Sequence, residues 1–79
     1  MIINEYDIIA LTADIPATHS ETQQTILLRR GQVGTVLAVF NGEAFLIDFA
    51  DEQGKTHAME TVPLTKLMLL FHEPVVTAA

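Results

Sequence analysis

The sequence predicts an all-β fold, a small barrel-like domain, on three observations. Leu28 to Phe49, LRRGQVGTVLAVFNGEAFLIDF, reads as two apolar strands joined by Asn41-Gly42. Such a joint is the strongest short-range hairpin signal, because both turn positions need positive φ. A second turn signal, Asp51-Glu52-Gln53-Gly54, follows one strand length later. The remaining apolar segments are short and alternate with a period of two, which is the strand period.

The first strand is expected over Glu5 to Thr12, where Asp7, Ile9 and Leu11 alternate with Tyr6, Ile8 and Ala10. Residues 13–25, ADIPATHSETQQT, carry neither a strand nor a helix period and are expected to run over the surface as a long connection. Ile26 to Leu28 return the chain to the core, and Arg29-Arg30-Gly31 turns it into a strand from Val33 to Phe40, with Gly31 and Gly34 marking positive φ or a bulge. A two-residue turn then pairs Phe40 with Glu43, Ala38 with Phe45, Val36 with Ile47 and Gly34 with Phe49. This register places Val36, Ala38, Phe45, Ile47 and Phe49 in the core with Ile9 and Leu11. It turns Leu37 toward Leu46, and Val39 toward Ala44, on the opposite face.

The next strand is expected from Lys55 to Val62. A three-residue loop pairing Asp51 with Lys55 sets His57 opposite Phe49, whereas a four-residue loop sends His57 outward and Ala58 and Val62 into the core; the hydration of a titrating imidazole favours the second. Pro63 ends the strand because it lacks an N–H, Pro63 to Leu67 have the length of one 3₁₀ turn, and Met68 to His72 form the last strand. Residues 1–72 are thus expected to make one domain, followed by a frayed tail over 73–79.

The chain has 79 residues, 49% of them apolar, with no Cys and a net charge of −6 from ten acidic and four basic side chains. A domain this small buries only about 60–65% of the surface that its unfolded chain exposes, so its stability margin is thin. Without Cys, neither a disulfide nor a thiolate zinc site reinforces it, which fits a reducing cytoplasm. The start, MIINEYD, lacks the basic and apolar regions of a signal peptide, and no apolar run reaches the roughly 18 residues of a membrane span. A cytoplasmic protein is expected. The negative charge repels phosphate backbones and attracts basic partners.

Glu5-Tyr6-Asp7, Leu11-Thr12, Asp14-Ile15-Pro16, Gly31-Gln32-Val33-Gly34-Thr35-Val36, Phe45-Leu46-Ile47-Asp48-Phe49 and Asp51 with Gly54-Lys55-Thr56 stand in that order. Over residues 4 to about 70 the chain resembles a family of small bacterial proteins of unknown function that shows E-Y-D, L-T-x-D-[IL]-P, K-G-D-x-G-T-V, Y-E-V-E-F and D-x-x-G-K-T. The resemblance implies a bacterial origin and a small five-stranded SH3-like barrel with a 3₁₀ turn before the last strand; it implies no activity. Some such genes lie in arrangements that look like toxin and antitoxin modules. The chain departs from the pattern where Leu46 replaces an acid, where residues 17–25 lengthen the first loop, and where an apolar tail follows His72. A wider likeness links it to Tudor and KOW-type barrels. A methyl-reading cage needs several surface aromatics, which this chain does not supply, and the basic loops of RNA-binding barrels are reduced here to Arg29 and Arg30.

No catalytic, cofactor-binding or metal-binding residues are expected. His19, His57 and His72 lack metal-site spacing, and Asp48, Asp51, Glu52 and Glu60 read as a solvated hairpin tip rather than an acid–base pair. Asp7 needs a partner, for which Arg29, Arg30 or the N–H groups of a turn are the candidates. The expected function is a non-enzymatic protein–protein interaction module. Its expected surface is Leu37, Val39 and Leu46, where Leu46 enlarges an outward apolar patch. The occupant is a protein partner or a second copy, and the most specific form is an antitoxin, immunity or accessory role toward a basic protein. The alternative is a small RNA-binding or ligand-binding barrel.

Overall fold

The computed structural model describes residues 1–78. The chain is all-β, with strands β1 (Ile8–Leu11), β2 (Ile15–Thr18), β3 (Thr25–Leu28), β4 (Val33–Phe40), β5 (Ala44–Ala50), β6 (Thr56–Pro63) and β7 (Leu67–Leu69), and a 3₁₀ turn at Leu64–Lys66 before β7. They form a five-stranded antiparallel sheet in the order β6-β5-β4-β1-β7 and a separate two-stranded sheet, β2-β3. The expected five-stranded barrel is therefore corrected to two sheets that do not close on one another. The end strands are also shorter than expected: β1 begins at Ile8, and β7 ends at Leu69 rather than His72.

The long irregular connection expected over 13–25 is instead half hairpin. Ile15 pairs with Leu28 and Ala17 with Ile26, so Ile15, Ala17 and Leu28 point into the core. Pro16 is exposed and costs no core packing, while its missing N–H is tolerated in so short a strand. The hairpin tip packs against β6: the Ser20 N–H donates to the His57 carbonyl (2.7 Å), the Ser20 hydroxyl to the Thr56 carbonyl (2.8 Å), and the Thr18 N–H to Glu60 Oε1 (3.2 Å). These bonds cover part of an edge strand that would otherwise present unpaired backbone groups. The Lys55–Glu21 ion pair beside them (3.1 Å) is exposed and adds little.

Asn41 and Gly42 both take positive φ (54° and 68°), and the Glu43 N–H donates to the Phe40 carbonyl (3.0 Å). The ladder nevertheless starts one residue later than expected, with Phe40 opposite Ala44, Val39 opposite Phe45 and Ala38 opposite Leu46. A bulge at Leu37 absorbs the extra residue, so Val36 faces Ile47 as expected. Because opposed residues share a face, Val39 goes to the Phe45 side and Ala38 to the outward side. Ala38 accordingly leaves the expected core and is only half-buried.

The second hairpin combines both expectations. Asp51 and Lys55 close a three-residue loop (Asp51 N–H to Lys55 carbonyl, 2.9 Å) with Gly54 at φ 84°. A bulge at His57 then puts Ala58 opposite Phe49 and Val62 opposite Phe45. Ala58 and Val62 are buried, and His57 is half-buried with its ring 5.9 Å from that of His19.

The core comprises Ile9, Leu11, Val36, Phe45, Ile47, Phe49, Ala58, Val62 and Leu67 from the large sheet, joined by Ile15, Ala17 and Leu28 from the hairpin and by Ile3. Each large side chain so buried contributes about 1.5–3 kcal/mol. Gly31 has positive φ (90°), as its turn requires. Gly34 does not; it is glycine for lack of room, since a Cβ there would come within 2.5 Å of Ile47 Cγ2 and 3.0 Å of Phe49 Cδ1.

Candidate interaction surface

The register defines what the large sheet shows on its outward side. One row across the strands runs Ile8, Thr35, Asp48, Met59, and the next runs Ala38, Leu46, Thr61. Phe40, Ala44 and Pro63 form a row toward the Asn41-Gly42 turn, and Val33, Ala10 and Met68 one at the other end. Among the described residues the β2–β3 sheet sends Ile15, Ala17 and Leu28 into the core side, and its tip bonds to the edge of β6; in the outward rows Ala10 is buried and Ile8, Ala38, Ala44 and Leu46 are half-buried. Phe40 (47%), Met59 (53%) and Met68 (52%) are exposed.

Of the expected surface residues, Leu37 and Leu46 are both half-buried on or beside this outward side, but the bulge separates them: Leu46 faces Ala38, and Leu37 has no cross-strand partner. Val39, 37% exposed, is corrected to the margin of the core side opposite Phe45. Sequence reasoning missed Phe40, whose place depended on the bulge at Leu37, and left Met59 out of the expected surface although the outward choice for His57 also turns Met59 outward. It also missed Tyr6, which is 72% exposed at φ 68°, unusual for a residue with a side chain. Its N–H donates to the Val36 carbonyl (2.7 Å), and the Val36 N–H donates to the Asp7 carbonyl (2.9 Å), which sets Tyr6 alongside the bulge at Leu37. The Asp7 carboxylate accepts the Asn4 N–H (2.8 Å) and so finds its partner in its own turn rather than in Arg29 or Arg30.

Asp48 is the one charged side chain in the outward rows, and it accepts the Thr56 hydroxyl (2.8 Å). Beyond it a shallow groove of about 400 Å³ is lined by Val33, Thr35, Asp48, Ala50, Asp51 and Glu52, among others. Lys55 is the cation of this hairpin, and its ammonium is directed to Glu21. Asp51 accepts the N–H groups of Gln53 and Lys55 at 2.9 Å each. The Lys55 N–H holds its carboxyl below the ordinary 3.8; partial desolvation opposes this, while the Gln53 N–H and the charges of His57 and Lys55 reinforce it. The groove thus presents negative charge at the end of an apolar face.

The other candidate chemistry is dispersed. His19 lies at the hairpin tip, with Nδ1 accepting the Glu21 and Thr22 N–H groups (3.2 and 3.3 Å), and His72 is exposed near the tail. Glu60 caps the Thr18 N–H and does not join Asp48 and Asp51. Among the described residues no group of three or more His, Cys, Asp or Glu could hold a metal ion, and no helix is long and apolar enough to cross a membrane.

The model of a family described as a domain of unknown function (DUF4926) matches residues 5–69. No curated protein and no solved structure matches the chain.

Proposed function

The chain belongs to the family described as a domain of unknown function (DUF4926), and from that premise we propose that it is a non-enzymatic module that binds another protein through the outward face of its large sheet. The observation that carries this reading is the apolar face itself: Met59, Leu46, Ala38, Phe40, Val33 and Met68 lie in adjoining rows with one carboxylate and no cation among them. Soluble monomers rarely leave contiguous apolar patches of this kind uncovered, and exposed aromatic and methionine side chains are the usual anchors of protein interfaces.

The partner in this reading is a basic protein of a bacterial cytoplasm, toward which the chain acts as an antitoxin, immunity or accessory protein. Net charge of −6 and the acidic groove at the end of the face support a cationic partner and weigh against a second copy, which would bring like charges together. We further infer that the fold is SH3-like: the order β6-β5-β4-β1-β7, the hairpin inserted between β1 and β4 and the 3₁₀ turn before β7 support that relation.

Capture from source-cell lysate tests this reading. The wild-type chain is expected to retain a stoichiometric basic protein that 0.5 M salt weakens, because charge pairs at the rim are screened (Debye length about 10 Å at 0.1 M, about 3 Å at 1 M). A Phe40→Lys, Leu46→Lys variant that melts like the wild type is expected to lose it. Equal capture by both proteins would remove the face from the account.

A further inference from the structure

We propose a second and independent site: the turn between β3 and β4 holds the phosphate group of a small phosphate monoester between the side chains of Arg29 and Arg30. Four groups line an open cleft of about 390 Å³ at this turn, namely Arg29, Arg30, Gly31 and Gln32. The cleft is roomy enough for a phosphate and the start of whatever carries it.

The backbone beneath the two arginines is fixed from several directions. The Gln32 N–H donates to the Arg29 carbonyl (2.9 Å), the Gly31 N–H to the Leu11 carbonyl (2.7 Å), and the Leu11 N–H to the Gln32 carbonyl (3.0 Å). Gly31 supplies the positive φ that the turn needs. The Arg29 N–H donates to Gln32 Oε1 (3.2 Å), which orients the amide and leaves its NH₂ as a further donor at the rim, and the Arg30 N–H donates to Asp14 Oδ1 (2.7 Å). Every main-chain N–H from Arg29 to Gln32 therefore has an acceptor, and recognition falls to the guanidinium groups.

In a chain with ten acidic residues, neither guanidinium is paired: Lys55–Glu21 is the one ion pair among the described residues. The Asp14 carboxylate accepts the Arg30 N–H and makes no ion pair with either guanidinium. Lys66 stands on the other flank of β1, where its carbonyl accepts the Thr12 N–H (2.9 Å), so three of the four cationic residues of the chain gather at the end of one strand. A planar guanidinium matches the forked geometry of a phosphate, and two from consecutive residues lining one cleft let a dianion draw on both charges. A nucleic acid is a poorer fit, because the other phosphates of a polyanion would meet a surface of net charge −6.

Titration of the ¹⁵N-labelled full chain with inorganic phosphate at low ionic strength tests the proposal, with sodium chloride at matched ionic strength as the reference. Saturable shifts confined to Asp14, Arg29 to Gln32 and the Lys66 region are expected, about tenfold weaker in Arg29→Gln and in Arg30→Gln, whose melting should match the wild type. Glycerol phosphate should reproduce the shifts and acetate should not. Shifts that follow ionic strength alone, that survive in the Arg29→Gln, Arg30→Gln double variant, or that acetate produces equally would overturn the phosphate site. So would an oligonucleotide that binds this turn where inorganic phosphate does not.

Discussion

Replacing Gly34 by Ala adds one methyl group on β4 against the neighbouring strand β5. The added carbon would lie 2.5 Å from Ile47 Cγ2, 3.0 Å from the Asp48 carbonyl oxygen and 3.0 Å from Phe49 Cδ1. Ile47 and Phe49 are fully buried, and the Asp48 carbonyl is backbone, so no neighbour is the free end of a flexible side chain. Overpacking of this kind costs about 1–3 kcal/mol. Against a total of roughly 4–12 kcal/mol for a chain of this length, a loss of about 2 kcal/mol lowers Tm by about 8–16 °C. Circular dichroism melts and urea titrations measure it. Gly31→Asn gives the contrast: its side chain meets nothing within 4 Å, so any loss there comes from the backbone at φ 90° and not from overpacking. Wild-type melting of Gly34→Ala would refute the β4–β5 register on which every face assignment depends.

Phe49→Ala should cost about 3–5 kcal/mol in urea titrations, because the ring is fully buried against Ala58. Tyr6→Gly relieves a positive φ and should leave stability unchanged or raised by up to about 1 kcal/mol, while it weakens partner capture if the ring borders the interface; a clear loss of Tm would show that the exposed ring packs in the fold. Asp51 has a folded-state pKa below its unfolded 3.8, so its contribution is fully present above that value and lost as pH falls through the folded pKa. The acid limb of the Tm profile of Asp51→Asn, which keeps the turn acceptor, should accordingly be shallower than that of the wild type.

The parts of this fold written in short-range chemistry were legible. Asn41, Gly42, Gly31 and Gly54 take the positive φ that their turns demand, and Val36, Phe45, Ile47 and Phe49 are buried as a period of two requires. What escaped depended on packing between distant segments. The bulges at Leu37 and His57 carry no glycine and left no mark in the sequence, yet each moves one end of a ladder by a residue. The bulge at Leu37 took Ala38 out of the core, put Val39 on the core side and brought Phe40 into the outward rows. The β2–β3 hairpin was hidden because Pro16 argued against a strand and only Ile15 and Ala17 alternate with it; their partners Ile26 and Leu28 lie beyond a polar tip. Gly34 was read as a backbone requirement when its cause is the space taken by Ile47 and Phe49.

Site-specific photo-crosslinking in source cells tests the binding face most directly. A benzophenone amino acid at Phe40 places the probe in the outward rows, and the same probe at Leu27, which is also exposed but lies on β3, serves as the reference. The account predicts one abundant adduct with a basic protein from the Phe40 position, lost when Leu46→Lys is added, and none of that identity from Leu27. No adduct from Phe40, or the same adducts from both positions, would contradict it.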